Sequence, residues 1–278
     1  MDTFEAKIGT DGSHILWRRS TSWRKKDPTL IVTNRFLKIF EDHDVAIPQI
    51  PLLISQLSLG QLRLESLPFA LTSKVLRQTA KLFQIQLAWL EGVTDQIYNR
   101  YHCYKDPWRF FEDIKTFKID EFDLSMVAFC STAKLDYGGG QGQPIILVLR
   151  EKCAHLDDKI IYRYRIYDEF DWGYRKSRIQ LKAIIRIWED KVGTPVPIYK
   201  VGKRVLREIE SGRAVPYRYY RGGQTDPSLE DYSFSTEESA VSKEADELPT
   251  VFEYIKAYKL EGKERPNKGI SREMARFF

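Results

Sequence analysis

Two groups of acidic residues, the second joined by a lysine, contain the residue types that bind a divalent metal ion and activate water. The groups are Asp168, Glu169 and Asp171, then Glu189, Asp190 and Lys191. Metal-assisted hydrolysis of a phosphodiester needs such side chains on strands, because alternate residues of a strand point toward the same ion. The second group instead falls at the end of a predicted helix, where charged side chains are ordinarily solvated. Hydrolysis is therefore the least favoured chemistry for this chain.

Histidine and cysteine residues give little support for a metal site. His102-Cys103 and Cys153-x-His155 contain metal-ligand types, but adjacent residues rarely chelate one ion, and a tetrahedral site would need both pairs to converge. The glycine-rich run at 138–142 lacks the lysine and serine of a phosphate-binding loop and precedes a strand, so we interpret it as a hairpin connection. We expect no metal, no cofactor and no catalytic residue.

A basic stripe is predicted on the longest helix of the chain. Arg175, Arg178, Lys182 and Arg186 are spaced so that they lie along one side of a helix. Aromatic residues are close in the sequence, and basic side chains with aromatic neighbours can follow a nucleic-acid backbone. The alternative is the soluble outer side of a helix whose cations pair with acidic residues. The sequence leaves both interpretations open.

Composition indicates a globular protein and leaves its partner open. Of 278 residues, 44 are Lys or Arg and 39 are Asp or Glu, so the formal net charge is +5. This charge is compatible with a polyanionic partner but does not require one. The three cysteines form no disulfide pattern, and no apolar run reaches the length of a membrane span. The first residues lack the features of a secretory signal, so we predict a cytoplasmic location.

Five short helical segments are predicted in the first hundred residues. They lie at about 34–43, 48–56, 58–65, 73–83 and 87–91. Proline is tolerated in a first helical turn, so Pro48 is compatible with the start of the second segment. In the fourth segment apolar residues recur at helical spacing, with polar residues between them.

The last two segments resemble the closing helices of a known family. A helix that ends in Ala80-Lys-Leu-Phe83 runs through a tight link into Leu87-Ala-Trp-Leu-Glu-Gly92. With the three segments before it, this layout resembles phage-repressor-like (Xre-type) helix-turn-helix domains over roughly 30–98. The resemblance implies that the third helix lies in the major groove of DNA. The groove-facing residues that it implies are Gln56, Ser58, Gln61 and Arg63, with Glu65.

A basic arm precedes these segments. Residues 1–28 are polar and irregular, with Trp17 and Trp23 among the cations. The arm either lies along a phosphate backbone, where its cations neutralise charge, or is solvated and held to the protein by its tryptophans. The cations that would contact phosphate are Arg18, Arg19, Arg24, Lys25 and Lys26.

The rest of the chain predicts an α+β domain. Apolar runs near 124–130, 144–149 and 159–167 indicate successive strands, and 180–192 indicates a long helix. This order favours an antiparallel sheet covered by helices. The predicted division is 1–28 basic arm, 29–100 helix-turn-helix-like domain, 101–121 connecting helix, 122–221 α+β sensing or dimerisation domain, 222–250 acidic disordered linker, and 251–278 short helix with a basic tail.

These features predict a cytoplasmic DNA-binding transcriptional regulator without enzymatic activity. Its partners would be double-stranded DNA, a second copy of the chain in a homodimer, and a small-molecule effector of the second domain. The alternative is a non-catalytic adaptor on the same scaffold, in which the third helix packs against a protein or a ligand. A metal-dependent nuclease is the third hypothesis.

Overall fold

The computed structural model describes residues 27–115, 124–131, 135, 142–157, 159–220, 225–226 and 247–257. These residues form a mixed α/β structure of helices and one six-stranded sheet. The predicted basic arm up to residue 26, most of the acidic linker and the basic tail lie outside the described residues. The arm residues concerned are Arg18, Arg19, Arg24, Lys25 and Lys26.

Ten α-helices occur in the described part of the chain. They are α1 Pro28–Asp42, α2 Ile50–Leu53, α3 Leu67–Ala70, α4 Ser73–Phe83, α5 Leu87–Leu90, α6 Pro107–Lys115, α7 Arg175–Val192, α8 Lys203–Glu210, α9 Tyr217–Tyr220 and α10 Leu248–Ala257. Two 3-10 turns, Ile47–Gln49 and Leu59–Leu62, lie on either side of α2. None of the described helices combines the length and the apolar character that crossing a bilayer requires.

The sheet is mixed, so a wholly antiparallel sheet is not confirmed, although the three successive strands predicted from the apolar runs do pair antiparallel. Its strands are β1 Arg100–Tyr101, β2 Leu124–Cys130, β3 Pro144–Leu156, β4 Lys159–Asp171, β5 Ile198–Lys200 and β6 Thr225–Asp226, in the order β1-β4-β3-β2-β5-β6. The pairs β2–β3, β3–β4 and β5–β6 are antiparallel, whereas β1 is parallel to β4 and β5 is parallel to β2. The parallel pairs arise because α6 and α7 carry the chain back across the sheet before the next strand begins.

Both faces of the sheet are buried, which explains the almost continuous apolar run of β2. Leu124, Met126 and Ala128 lie in the core formed with α6, α7 and α10. Val127 and Phe129, which alternate with them, lie in the core that contains side chains of α1, α4, α5 and α8. The chain therefore forms three layers, and the helices of the predicted first domain share a core with the sheet.

The predicted fourth and fifth helices are confirmed as α4 and α5. Local sequence signals set the ends of the helices. The Asp27 carboxylate accepts a hydrogen bond from the Thr29 backbone N–H at 2.9 Å at the start of α1. The Thr72 hydroxyl accepts one from the Val75 N–H at 3.4 Å at the start of α4. Gln84, with a left-handed φ of 55°, ends α4 and turns the chain toward α5.

The predicted third helix at 58–65 is wrong. The chain makes one 3-10 turn there, and Arg63 follows it in an extended conformation with a ψ of 140°. The Gln61 amide oxygen accepts hydrogen bonds from the Ser58 backbone N–H and hydroxyl, at 2.9 and 3.0 Å, which closes the turn on itself. Gly60 inside the turn disfavours a longer helix. A complete five-helix repressor-like bundle is therefore not confirmed.

Residues at the end of α1 connect the helical layer to the sheet through hydrogen bonds and an ion pair. The His43 ring is buried, with Nδ1 2.7 Å from the Ile39 carbonyl and Nε2 3.3 Å from the Tyr98 hydroxyl. A carbonyl needs a donor, so Nδ1 carries the proton and Nε2 accepts from Tyr98. Burial lowers the pKa of His43 to about 3, so the ring is neutral. Beside it, Lys159 of β4 forms an ion pair with Asp44.

Candidate functional site

The residues that the repressor resemblance assigns to DNA contact lie on the surface. Gln56, Ser58, Gln61 and Arg63 are all exposed. They belong to the connection between α2 and α3 rather than to a helix, and the Gln61 amide is already bonded to Ser58. A helix-turn-helix protein reads the major groove with side chains held on a helix. Base contacts from these four residues would therefore lack that helical support.

Exposed large apolar side chains are concentrated in the same stretch of the chain as these polar residues. Five of the nine large hydrophobic side chains that are exposed in the described residues fall within 47–69. Leu52 and Leu64 are each 70 % exposed and Phe69 is 88 % exposed. The second 3-10 turn contacts α3, and Leu64 lies in the link between them, so Leu59, Leu64 and Phe69 belong to one local unit. We call this group the apolar surface: Ile47, Leu52, Leu59, Leu64 and Phe69.

The predicted basic stripe on α7 is not a surface feature at its centre. Arg178 is 4 % exposed and Lys182 is 1 % exposed. The Arg178 guanidinium donates two hydrogen bonds to the Glu247 carboxylate, from Nε at 3.0 Å and from Nη2 at 2.7 Å, and Lys182 Nζ donates one at 3.1 Å. The two cations are thus held in an ion cluster inside the protein, away from any phosphate backbone.

Arg175 and Arg186, at the two ends of the stripe, each lie near a carboxylate. Arg175 is half exposed and its Nε lies 3.9 Å from the Glu247 carboxylate. The Arg186 Nε lies 3.6 Å from the Asp190 carboxylate, and its guanidinium stacks over the Phe252 ring. These contacts fit the pairing of the cations with acidic residues better than the nucleic-acid interpretation, but this side of the helix is not the soluble outer side that the alternative assumed.

The last helix explains why the centre of the stripe is buried. Glu247 directly precedes α10, and Val251, Tyr254 and Ile255 of that helix are buried in the core shared with α7. Burial alone would raise the pKa of the Glu247 carboxyl, but the hydrogen bonds from Arg178 and the charge of Lys182 outweigh it and hold this pKa below its ordinary value. The carboxylate is therefore ionised at neutral pH.

A polar cleft of about 460 Å³ opens between α4 and the β1 edge of the sheet. Arg77 and Lys81 lie one helical turn apart on the exposed side of α4 and border one wall. Gln84 lies at the end of the same helix. The opposite wall is formed by the chain that enters β1 and by one cation of β4. The polar lining is Arg77, Lys81, Gln84, Asn99, Tyr101 and Arg163.

The basic residues that α4 contributes to the cleft have no acidic partner in the same helix. The sequence 73–83 contains Lys74, Arg77 and Lys81 and no acidic residue. Arg163, by contrast, is bonded through Nε to the Glu151 carboxylate at 2.8 Å and through Nη2 to its second oxygen. These hydrogen bonds, against the effect of burial, raise the pKa of Arg163. The excess positive charge of the cleft therefore comes from α4.

Gln84 borders the cleft, and one of its amide atoms is buried without a partner among the described residues. Its amide nitrogen donates to the Tyr101 hydroxyl at 3.4 Å. Its amide oxygen is buried and has no hydrogen-bond partner among the described residues. A buried polar atom of this kind costs free energy unless another group bonds to it.

Two of the acidic residues considered for metal chemistry, Asp171 and Asp190, have structural contacts. The Asp171 carboxylate accepts hydrogen bonds from the backbone N–H groups of Gly142, Gln143 and Gly173, so it holds two loops together. Asp190 pairs with an arginine of its own helix. No group of three His, Cys, Asp or Glu side chains in the described part of the chain is placed to hold a metal ion.

The cleft was not predicted, because its residues come from three distant parts of the sequence. They lie at 77–87, at 99–101 and at 163. The only local signal is the pair Arg77 and Lys81, spaced by four residues in a helix that lacks acidic residues. Spacing of this kind occurs on many solvated helices, so it does not indicate a site by itself.

Known proteins offer no guide to this site: no protein-family model, no curated protein and no solved structure matches the chain.

Proposed function

We propose that this protein is a non-catalytic regulatory adaptor of the cytoplasm, and that its apolar surface binds a second copy of the chain. The exposure of Phe69, Leu64 and Leu52 is the observation that carries the proposal. Single exposed apolar residues are ordinary, but a concentration of them on one stretch of surface is typical of protein interfaces. The resemblance to repressor-type domains supports a regulatory role.

The charges of the surface favour a second copy as the partner. Between 47 and 72 the only ionisable side chains are Arg63 and Glu65. A two-fold axis lets each residue of one copy meet the complementary residue of the other, so Arg63 of each chain can lie opposite Glu65 of its partner. A neutral apolar surface that forms two such pairs across the axis has complementary charges.

The oligomeric state in solution tests this proposal. Sedimentation velocity of the full chain at about 100 µM, well above a micromolar Kd, should show a dimer. The double substitution Leu64→Glu and Phe69→Glu should yield a monomer, because it places two carboxylates in a desolvated interface. Val93→Glu is the matched control, since Val93 is 77 % exposed but lies outside the apolar surface. A monomeric wild-type protein, or a dimer in the double variant, would contradict the proposal.

A charge exchange tests the orientation of the two copies. Arg63→Glu alone and Glu65→Arg alone should each weaken the dimer, because like charges then face each other across the axis. The double variant with both substitutions should restore it. Equal weakening by the double variant would exclude the two-fold pairing of these residues.

Double-stranded DNA binding is the second candidate, and the observation that favours it is the exposure of Gln56, Ser58, Gln61 and Arg63. Titration of a random duplex at increasing salt should then show affinity that falls with ionic strength. Loss of affinity in Arg63→Ala would support DNA contact at this segment. Absence of binding at low salt would exclude this function, and unchanged affinity in Arg63→Ala would exclude a role of this arginine in it.

A further inference from the structure

The cleft beside α4 is a concave polar site that neither the dimer nor DNA binding by residues 56–63 uses. We propose that it binds the phosphate group of a small molecule, with nucleotides as the ligand class. Arg77 and Lys81 supply the anion contacts, and Gln84, Asn99 and Tyr101 contact the uncharged part of the ligand. The inference is independent of the proposed dimer, which involves other residues.

The two cations of α4 have the spacing that one phosphate group requires. Side chains four residues apart on a helix are neighbours, so Arg77 and Lys81 can reach the same anionic group. A guanidinium bonds two phosphate oxygens at once, and an ammonium adds a compact positive charge. Like charges at this spacing repel each other slightly, and an anion between them removes that repulsion.

The opposite wall is held in place by contacts within the protein. The Arg163 guanidinium is fixed by its two hydrogen bonds to Glu151, so it needs no ligand to hold its position. The Arg165 guanidinium lies over the Tyr101 ring, with 5.4 Å between the guanidinium carbon and the ring centroid. A wall that is ordered in advance lowers the entropy lost when a ligand binds.

The rest of the lining suits a polar organic group rather than a bare ion. Gln84 lines the cleft with an amide side chain, whose nitrogen is held by the Tyr101 hydroxyl. Asn99 adds a second amide, and the volume of about 460 Å³ falls in the range of small-ligand sites. Inorganic phosphate would leave most of this space unfilled, whereas a nucleoside phosphate is large enough to occupy it.

Titration calorimetry of the full chain with two probes tests the site. The probes are pyrophosphate and adenosine monophosphate, each measured at constant ionic strength. The test variant is Arg77→Gln with Lys81→Gln, which keeps polar side chains on the helix surface. The matched control is Lys74→Gln, because Lys74 lies on the same helix but does not line the cleft.

The wild-type protein and Lys74→Gln should bind adenosine monophosphate with the same affinity, and pyrophosphate more weakly. The double variant should bind adenosine monophosphate about tenfold or more weakly, since each lost bond to a charged group contributes on that scale. Absence of adenosine monophosphate binding, or equal losses in the double variant and the control, would overturn the proposal. A short duplex that displaces the nucleotide and binds more tightly would also overturn it, because the cleft would then serve nucleic acid.

Discussion

Two helices of this protein carry cations with the same spacing and opposite environments. Arg178 and Lys182 of α7 are four residues apart, as are Arg77 and Lys81 of α4. The α7 pair is buried against the Glu247 carboxylate, whereas the α4 pair is exposed at the mouth of a cleft. Spacing alone therefore does not distinguish an internal ion cluster from a ligand-binding surface, because a distant part of the chain decides which is formed.

His43 adds a third arrangement of a basic side chain. It is buried like the α7 cations, but its ring nitrogens contact a carbonyl and a tyrosine hydroxyl instead of a carboxylate. Burial, together with the nearby positive charge of Lys159, lowers its pKa and keeps the imidazole neutral. Arg178 and Lys182 are thus buried and paired with a carboxylate, and His43 is buried and neutral. Arg77 and Lys81, by contrast, are charged and exposed to solvent.

The largest effect is expected when the buried cluster loses its anion. Glu247→Gln keeps the shape of the side chain but leaves Arg178 and Lys182 buried beside a neutral amide. We expect the free energy of unfolding to fall by about 3 kcal/mol, as when one member of a buried ion pair is removed. Urea denaturation at pH 7 measures this change.

The matched control for this experiment is Asp190→Asn. Asp190 pairs with Arg186 of the same helix, and its side chain is 56 % exposed. Exposed pairs contribute little, so this change should cost less than about 1 kcal/mol. If both variants lost the same free energy of unfolding, the buried ion cluster would contribute no more to stability than the exposed ion pair.

A smaller effect is expected from acidification, through His43. Its pKa is about 3 in the folded protein and 6.5 in the unfolded chain, so the unfolded state binds the proton first as the pH falls. The stabilisation is complete above pH 6.5 and is lost progressively between pH 6.5 and pH 3. At pH 5 the loss from this group is about 2 kcal/mol. Urea denaturation at pH 7 and pH 5 measures it.

His43→Gln separates this histidine from the other titrating groups. Glutamine can donate to one partner and accept from another, as the neutral ring does, but it binds no proton in this range. The variant should lose about 2 kcal/mol less than the wild-type protein between pH 7 and pH 5. The same pH dependence in both proteins would show that His43 is not buried as a neutral ring.

The smallest effect on stability is expected at the exposed pair. Arg77→Gln with Lys81→Gln should change the free energy of unfolding by less than about 0.5 kcal/mol, with a slight gain because a like-charge pair is removed. Thermal and urea denaturation measure the change. A loss as large as that of Glu247→Gln would show that these cations are structural and that α4 and α7 do not differ in this respect.

Much of the secondary structure was predictable from the sequence. The amphipathic patterns of α4 and α7 and the apolar runs of β2, β3 and β4 identify these elements, because burial of one helix side or of both sheet faces leaves a periodic signal. The helix predicted near the end of the chain is likewise present as α10. The bounds differ where an element extends past its apolar run: β3 continues beyond Leu149, and α1 and α7 each begin several residues before the predicted start.

The errors come from contacts that lie outside a short window of sequence. The turn at Leu59–Leu62 forms because the Gln61 side chain bonds back to Ser58, an interaction that an apolar pattern does not encode. The mixed sheet depends on the direction in which α6 and α7 return the chain. The cleft depends on which strand lies beside α4. The residues of its opposite wall are distant in the sequence from Arg77, so the sequence around Arg77 does not predict them.

The sequence by itself determined where the long helices and the central strands form, because the periodicity of their apolar residues indicates which side chains become buried on folding. Only the tertiary structure decided that Arg178 and Lys182 are interior while Arg77 and Lys81 are exposed. The physical reason is that a buried cation is stable only next to an anion. For α7 that anion is Glu247, which lies more than sixty residues further along the chain.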